Sequence, residues 1–233
     1  MSRAALQPSQ TMLRWIRPPQ QARTRESLTR LPDAAEALIA RKGFEDAGIL
    51  EMARRAGCSV GGFYRRFRDK DGLLHALHER FCAEARATAD VALDPGRWQG
   101  ASTADILGEF TSFLVHIYRE RQGLLRAFLR QGAADARLRQ RTDQLFAHIV
   151  ERLQRLLRER RAEVTHPDPQ LAAGFGVHVV LGTLNHLSLN QPESPRLDDA
   201  RLSRELSRVF RAYLGAAPRP LPTHSTKRRN TPR

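Results

Sequence analysis

The sequence contains very little cysteine, with Cys58 and Cys82 the only two among 233 residues. Two cysteines without nearby ligand partners argue against a disulfide framework and against a zinc site. We therefore predict no metal and no cofactor. Cys58 fits best as a small buried hydrophobic residue, with a redox sensor as the alternative.

Long apolar runs are also missing from the sequence. The first 21 residues lack a continuous apolar segment, and no stretch approaches the apolar length of a membrane span. We therefore predict a cytoplasmic protein. Gly-rich phosphate loops, nucleophile motifs and clusters of metal ligands are missing too, which argues against an enzyme.

Strand-like alternation of β-branched and polar residues does not occur, whereas apolar residues recur at helical spacing through most of the chain. This pattern predicts an all-α protein of nine helices. Pro32 indicates a late start for helix 1, because proline is tolerated in a first turn. Outside residues 43–70, the predicted helices are Leu31 to Lys42, Asp71 to Val91, Thr103 to Glu120, Gln122 to Gln131, Ala134 to Arg161, Pro169 to Leu189 and Asp198 to Leu214.

Positive charge is concentrated at the two ends of the chain. The formal net charge is +14, and residues 1–70 contain 14 Lys or Arg against 7 Asp or Glu. Residues 216–233 add five basic residues and no acidic one. Because the middle is nearly neutral, we expect nucleic acid to bind at the N-terminal end rather than over a uniformly basic surface.

Two short helical patterns around a tight turn lie within residues 43–70. The first begins near Ile49 and ends at Gly57, a residue that suits a left-handed cap. Ser59 can then cap a second helix, from about Val60 to Phe67, which would bury two phenylalanines four residues apart. A short, basic second helix of this kind predicts a helix-turn-helix whose second helix enters the major groove of DNA.

These residues also carry a family pattern. In order and at the expected spacing stand Gly43-Phe44, the stretch MARRAGCS at 52–59, the stretch GGFYRRF at 61–67, and KDGL at 70–73. The sequence therefore resembles the TetR family of bacterial transcriptional regulators over roughly residues 28–74. Ala47-Gly48 departs from the pattern, because a Thr or Ser pair usually opens the first motif helix and contacts phosphate.

The resemblance implies which residues contact DNA. Tyr64, Lys70 and the backbone at the glycine pair are expected on phosphates, while Val60, Arg65 and Ser59 are the candidates for base edges. Tyr64 could instead be a packed aromatic, the arginines solvated surface charge and the glycines simple turn formers. The full predicted set is Ser59, Val60, Gly61, Gly62, Tyr64, Arg65, Arg66 and Lys70.

The sequence divides into four predicted parts. Residues 1–22 form a flexible basic arm, which either enters a minor groove or remains a solvated leader. Residues 23–70 form the three-helix DNA-binding domain, and residues 71–216 form a larger helical domain. Residues 217–233 form a disordered basic tail. The resemblance implies that the larger domain binds a ligand and dimerises.

The dimer interface is predicted on the last two helices. Helix 8 is apolar nearly all round, so several sides must be covered, and helix 9 has one apolar face. Two such pairs would form a four-helix bundle across a two-fold axis, the alternative being a monomeric core. The predicted interface residues are Val177, Val180, Leu181, Leu184, Leu206 and Phe210.

A ligand pocket is expected among the apolar stripes of the larger domain. Helices 5 and 7 supply aromatic residues that are core residues first, and helix 8 presents two histidines on one face, either as pocket hydrogen-bonding groups or as satisfied core histidines. The candidate pocket residues are Phe110, Phe113, Phe146, Phe175, His178 and His186. Together these features predict a ligand-responsive repressor that binds a palindromic operator as a homodimer and responds to a small-molecule inducer of unknown identity. The alternative is an architectural or nucleoid-associated DNA-binding protein, favoured by the basic end KRRNTPR.

Overall fold

The computed structural model describes residues 22–190 and 198–216, so the predicted arm and tail lie outside the described residues. The described residues form helices and no strand, which confirms the all-α prediction with nine α-helices. Short 3-10 turns at Pro95–Trp98 and Arg161–Glu163 follow α4 and α7. The helices are α1 Ala22–Lys42, α2 Ile49–Arg55, α3 Val60–Tyr64, α4 Lys70–Ala92, α5 Thr103–Glu120, α6 Gln122–Gly132, α7 Ala136–Arg158, α8 Pro169–Leu189 and α9 Asp199–Leu214.

The late start predicted for helix 1 is wrong. α1 begins at Ala22 and runs through Pro32, which is buried inside it. A proline in a helix interior costs one backbone hydrogen bond. Here the helix continues because Leu31, Ala35 and Leu38, which flank the proline, are fully buried and hold this part of α1 on the core.

Two other helix ends differ from the prediction. α3 ends at Tyr64 rather than at Phe67, because the chain turns at Arg65 and the remaining residues lie in a loop. α7 is shorter than predicted at both ends, since the Asp135 side chain caps its start and a 3-10 turn follows at Arg161–Glu163.

The apolar residues form two clusters. The first cluster lies between α5, α7, α8 and α9. The second packs α1, α2, α3 and the first half of α4 against α6. A Cβ added at Gly123, in the first turn of α6, would lie 2.8 Å from the carbonyl oxygen of Ile39 in α1. The first three helices are therefore packed directly on α6 of the larger domain.

The composition of α8 corrects the expectation that no stretch approaches the apolar length of a membrane span. α8 has 21 residues and, among the helices that the structure describes, is the one long and apolar enough to cross a membrane by length and composition alone. This is weak evidence for a span, because the core helix of a soluble protein has the same composition. α8 packs between α7 and α9 and contributes buried residues to the core of the larger domain.

Candidate DNA-binding surface, body cavity and dimer face

The turn between α2 and α3 has the geometry predicted from its glycine and serine. Gly57 has φ of 68°, in the left-handed region that favours glycine, which confirms the predicted cap. The Ser59 side chain accepts a hydrogen bond from the backbone N–H of Gly62 at 3.0 Å. At the start of α2, Gly48 provides no side-chain cap. We call α1, α2 and α3 together the head. The turn thus fixes how α3 projects from the head.

One side of α3 is anchored in the core and the other is exposed. Phe63 is fully buried and Phe67, just beyond the helix, is 1% exposed, as predicted. Tyr64 is 48% exposed, so it is not a packed core aromatic. Arg65 is exposed beside it, and Val60 is half-buried at the start of the helix. Four of the predicted DNA contacts, Ser59, Val60, Tyr64 and Arg65, therefore have side chains that are at least partly exposed at this helix.

Two predicted DNA contacts are little exposed in the structure. Arg66 is 9% exposed, because it follows Phe63 on the inward side, so its guanidinium cannot be a solvent-facing phosphate contact. Gly62 is buried, and its N–H is already bonded to Ser59. Gly61 is exposed and remains the glycine whose backbone a phosphate could approach.

Lys70 lies at the first turn of α4 with two local contacts. Its ammonium donates to the backbone oxygen of Glu45 at 2.9 Å and lies 4.5 Å from the centre of the Phe44 ring. An ammonium has three donors, so two remain for a phosphate. These contacts hold a cation at the edge of the head without neutralising it.

A charged cluster that sequence reasoning missed fixes α2 against the end of α1. Glu51 pairs with Lys42 at 2.7 Å, with Arg41 at 3.1 Å and with Arg55 at 3.3 Å. The hydrogen bond from Lys42 is the main cause that lowers the pKa of Glu51. In the sequence, the only indication of this cluster was Glu51 among basic residues. The fold shows that basic side chains from two helices contact its carboxylate.

The larger domain encloses a cavity of about 340 Å³ between α4, α5, α6, α7 and α8. Phe110, Phe113 and Phe146 line it, as the sequence suggested. Most of the remaining wall is aliphatic or aromatic. The polar groups that sequence reasoning missed are two pairs: His78 with Thr142 at 3.1 Å, and the Tyr118 hydroxyl, which donates to Asn185 at 2.6 Å.

Phe175, His178 and His186 do not line this cavity. All three are exposed on the outer side of α8, so the predictions of pocket residues and of satisfied core histidines are both wrong for this helix. The reason is the orientation of α8, which turns a different stripe inward. His178 lies against the outer edge of the domain, with its ring 5.9 Å from that of Phe146.

The six residues predicted for the dimer interface are also placed differently. None of them is more than 8% exposed, because their own chain covers them. The ring of Phe210 packs directly on Gly176 and thereby sets which side of α8 faces inward. The buried residues are Val177, Val180, Leu181, Leu184, Leu206 and Phe210.

An apolar face remains exposed on the same two helices. Leu171 is 59% exposed, Phe175 50%, Val209 52% and Tyr213 38%. The rings of Phe175 on α8 and Tyr213 on α9 lie 5.1 Å apart, and Leu171 and Val209 lie four residues before them on the same faces of these helices. We call these four residues the α8–α9 patch. Contiguous exposed apolar surface of this kind is typical of an interaction site.

Glu79 is a buried carboxyl group on α4. It is 7% exposed, and neither carboxyl oxygen has a hydrogen-bond partner among the residues that the structure describes. Burial raises its pKa, partly offset by the positive charge of Arg141. A raised pKa in the folded state means that the contribution of Glu79 to stability is lost as the pH rises through that pKa.

We therefore expect Glu79→Gln to raise the melting temperature at pH 8, with a gain of about 1 kcal/mol in the free energy of unfolding. The gain should shrink as the pH falls through the raised pKa of Glu79, because a growing fraction of the wild-type carboxyl groups is then neutral. Thermal denaturation across this range measures it, with the exposed Glu151→Gln as control. A melting-temperature difference that stayed constant with pH would contradict the account.

Within residues 22–190 and 198–216, no group of three or more His, Cys, Asp or Glu side chains is placed to hold a metal ion. Both cysteines are unpaired thiols. Cys58 is only partly buried, so its placement agrees in part with the predicted buried role.

Two family models match the chain. The model for bacterial regulatory proteins of the tetR family matches residues 31–77, and that for the tetracyclin repressor-like C-terminal domain matches residues 103–214. The first covers the head and the second covers the helices from α5 to α9. No match was found among the sequences of characterised proteins.

Solved structures with the same fold cover most of the chain. A proposed TetR-family transcriptional regulator from Mesorhizobium loti has a TM-score of 0.67 at 19% identity, over 84% of this chain and 98% of the other. A transcriptional regulator from Cytophaga hutchinsonii gives 0.64 at 19% identity, over 81% and 96%. FadR from Bacillus subtilis, solved in complex with stearoyl-CoA, gives 0.59 at 18% identity, over 78% and 97%. At these identities the likeness shows the fold.

Proposed function

Because the chain belongs to the TetR family of bacterial transcriptional regulators, we propose that this DNA-binding protein is a ligand-responsive repressor acting as a cytoplasmic homodimer on a palindromic operator. The observation that carries the proposal is α3, a capped helix whose exposed side presents Tyr64 and Arg65 while its other side is locked in the core. No catalytic step is part of this function.

The head supplies both kinds of contact that specific binding requires. Lys70, Tyr64 and the exposed backbone at Gly61 are suited to phosphates, which set position without reading sequence. Arg65 can donate two hydrogen bonds to a guanine, and Val60 can pack on a thymine methyl group. We assign base reading to these two residues and backbone contacts to the other three.

The α8–α9 patch supports dimerisation. A two-fold axis through this patch would pair the same surface of two copies and form a four-helix bundle. Such a pairing covers Leu171, Phe175, Val209 and Tyr213, which are otherwise exposed to water. A homodimer would carry two α3 helices, one for each half-site of a palindromic operator.

The cavity is the proposed ligand site, and its wall is linked to the head. Arg121 lines the cavity, and its guanidinium is 3.6 Å from the Glu36 carboxylate of α1. Arg80 of α4 contacts the same Glu36 and also Asp33, each at 2.5 Å. A ligand that displaced Arg121 would therefore act on an ion-pair network that holds α1. The structural neighbour FadR was solved with a bound ligand, which supports a ligand-binding body in this fold.

Substitutions in the head should separate the two kinds of contact. Lys70→Ala should weaken binding to all DNA sequences to a similar extent and reduce the salt slope by about one. Tyr64→Phe should also weaken binding without changing sequence preference. Arg65→Ala should cost about 1–3 kcal/mol on the preferred site and relax preference at one base pair. Fluorescence anisotropy over a salt series measures all three. An unchanged preference in Arg65→Ala would remove its assignment to base reading.

Selection of bound duplexes from a random pool, followed by footprinting, tests the function itself. The repressor proposal predicts one enriched motif with two-fold symmetry and a protected site of defined length. Protection that grew only with the length of the DNA, without an enriched motif, would favour an architectural protein instead.

A further inference from the structure

We propose that the cavity of the larger domain binds an uncharged, mainly apolar compound of about two rings that carries one hydrogen-bond acceptor. Binding of such a compound does not depend on the proposed function. Only its effect on DNA binding rests on the proposed ligand-responsive function. Its size follows from the volume of about 340 Å³. A dry cavity of about 150 Å³ holds one benzene ring, so this cavity has room for about two.

Aromatic side chains form much of the wall. Phe81, Phe110, Phe113, Phe128 and Phe146 all line the cavity, and they come from four different helices. The Phe81 and Phe128 rings lie 5.7 Å apart, centre to centre. Rings on several sides favour a flat aromatic guest, because aromatic pairs prefer tilted or offset contacts at such distances.

Three titratable groups of the cavity wall, His78, Cys82 and Tyr118, are neutral at neutral pH. His78 is 2% exposed, and its burial, together with the nearby charge of Arg141, lowers its pKa to about 4. Burial raises the pKa of the Cys82 thiol to about 11. Burial also raises the pKa of Tyr118. These three groups therefore offer neither a cation nor an anion to a bound molecule.

The charged lining residues lie at the more exposed part of the wall, and the two central ones are already paired. Arg121 is 3.1 Å from Glu84, and its guanidinium lies 5.9 Å from the centre of the Phe81 ring. Arg97 and Glu109 are exposed to solvent. A ligand carboxylate would have to compete with Glu84 and Glu36 for Arg121, or else be buried without a partner, which is costly.

Asn185 supplies a directed polar contact. Its side-chain oxygen accepts from the Tyr118 hydroxyl at 2.6 Å, and its amide nitrogen has no partner among the described residues. Because Asn185 lines the cavity, this nitrogen is a donor that a carbonyl oxygen of the ligand can satisfy. The acceptor in the proposal follows from this donor.

Three probes of similar shape test the ligand class by isothermal titration of the full-length protein. Methyl 2-naphthoate is neutral with a carbonyl acceptor, naphthalene is neutral without one, and 2-naphthoate is the anion. The ester is expected to bind most tightly, naphthalene about tenfold more weakly, and the anion at least about 100-fold more weakly. An anion that bound as tightly as the ester would overturn the proposal, and so would the failure of both neutral probes to bind.

Substitutions on one helix locate the binding. Ala85 lines the cavity and Ala87 is exposed two residues later on α4. Ala85→Phe should abolish binding of the ester, whereas Ala87→Phe should leave its affinity unchanged. Asn185→Leu should lower the affinity of the ester about tenfold and leave that of naphthalene within about twofold. Equal effects of the two alanine substitutions would place the probe elsewhere.

Operator binding by the ligand-free protein is measured in parallel. Specific DNA binding without any neutral probe in the cavity would overturn the ligand class and leave the DNA-binding function intact. Binding of the ester without specific DNA binding would support the ligand class and overturn the proposed DNA-binding function. The two proposals therefore fail separately.

Discussion

Gly176→Ala is expected to destabilise the protein by about 3 kcal/mol, since overpacking a well-packed core has costs of this order. A Cβ at residue 176 would lie 1.9 Å from one carbon of the Phe210 ring and 2.2 Å from another. Phe210 is 1% exposed, so its ring cannot move aside without displacing its neighbours in the core. The contact between α8 and α9 would have to open. Chemical denaturation of purified wild type and variant measures the loss.

Gly182→Ala is the matched control, six residues later on the same helix. Nothing lies within 4 Å of a Cβ added there. Alanine is favoured over glycine in a helix interior by about 1 kcal/mol, so this variant should be more stable than the wild type. If both alanines had the same effect on stability, the packing of Phe210 on α8 would be wrong.

Phe175→Asp is expected to convert the dimer into monomers and to lower operator affinity at least about 100-fold, because joint engagement of two half-sites is lost. In a two-fold interface each substitution occurs twice, so two carboxylates would be buried without partners. Phe175 is half exposed in the single chain, so the substitution should not unfold it. Light scattering and anisotropy on the same sample measure both effects.

Val91→Asp is the control for charge on an exposed apolar residue. Val91 is 65% exposed near the end of α4, on a different helix from the residues of the α8–α9 patch. This variant should remain dimeric and bind the operator as the wild type does. Dimers that persisted in Phe175→Asp with a native circular dichroism spectrum would place the interface elsewhere.

Leu181→Asp distinguishes two interpretations of α8, in which Leu181 lies either inside its own subunit or at the dimer interface. Leu181 is 8% exposed within its own chain, so an aspartate there should unfold the larger domain rather than dissociate folded subunits. A folded monomer of Leu181→Asp would instead support the interface originally expected from the sequence.

Local signals made much of the fold predictable. The bounds of α5 and α8 agree with the prediction because capping residues mark them: Ser102 and Asp105 form a capping box, and Asp168 caps α8 just before Pro169. The cap by Ser59 and the left-handed Gly57 were equally readable, since both depend on neighbouring residues alone.

Features that depend on distant contacts were not predictable. α1 continues through Pro32 because residues around it are buried against other helices, which no local pattern reports. The outward side of α8 was misjudged because the helix is apolar nearly all round, so periodicity does not indicate which side its own chain covers. That side is set by Phe210 on Gly176, a contact between residues 34 positions apart.

The cavity was predictable only in part. Its phenylalanines on α5 and α7 lie on apolar stripes, but Tyr118 and Asn185 are 67 positions apart and meet only in the fold. The same holds for Arg66, whose basic side chain reads as a DNA contact until the turn after α3 places it inside.

The most direct measurement of the central claim is the affinity of the full-length protein for the selected duplex and for a shuffled duplex of equal length and composition, at the same physiological salt concentration. A sequence-reading dimer should prefer the selected duplex by at least about 10³-fold. The preference should fall in Arg65→Ala and should persist in Lys70→Ala, even though overall affinity drops. Equal affinity for the two duplexes, with the same salt dependence, would contradict the account.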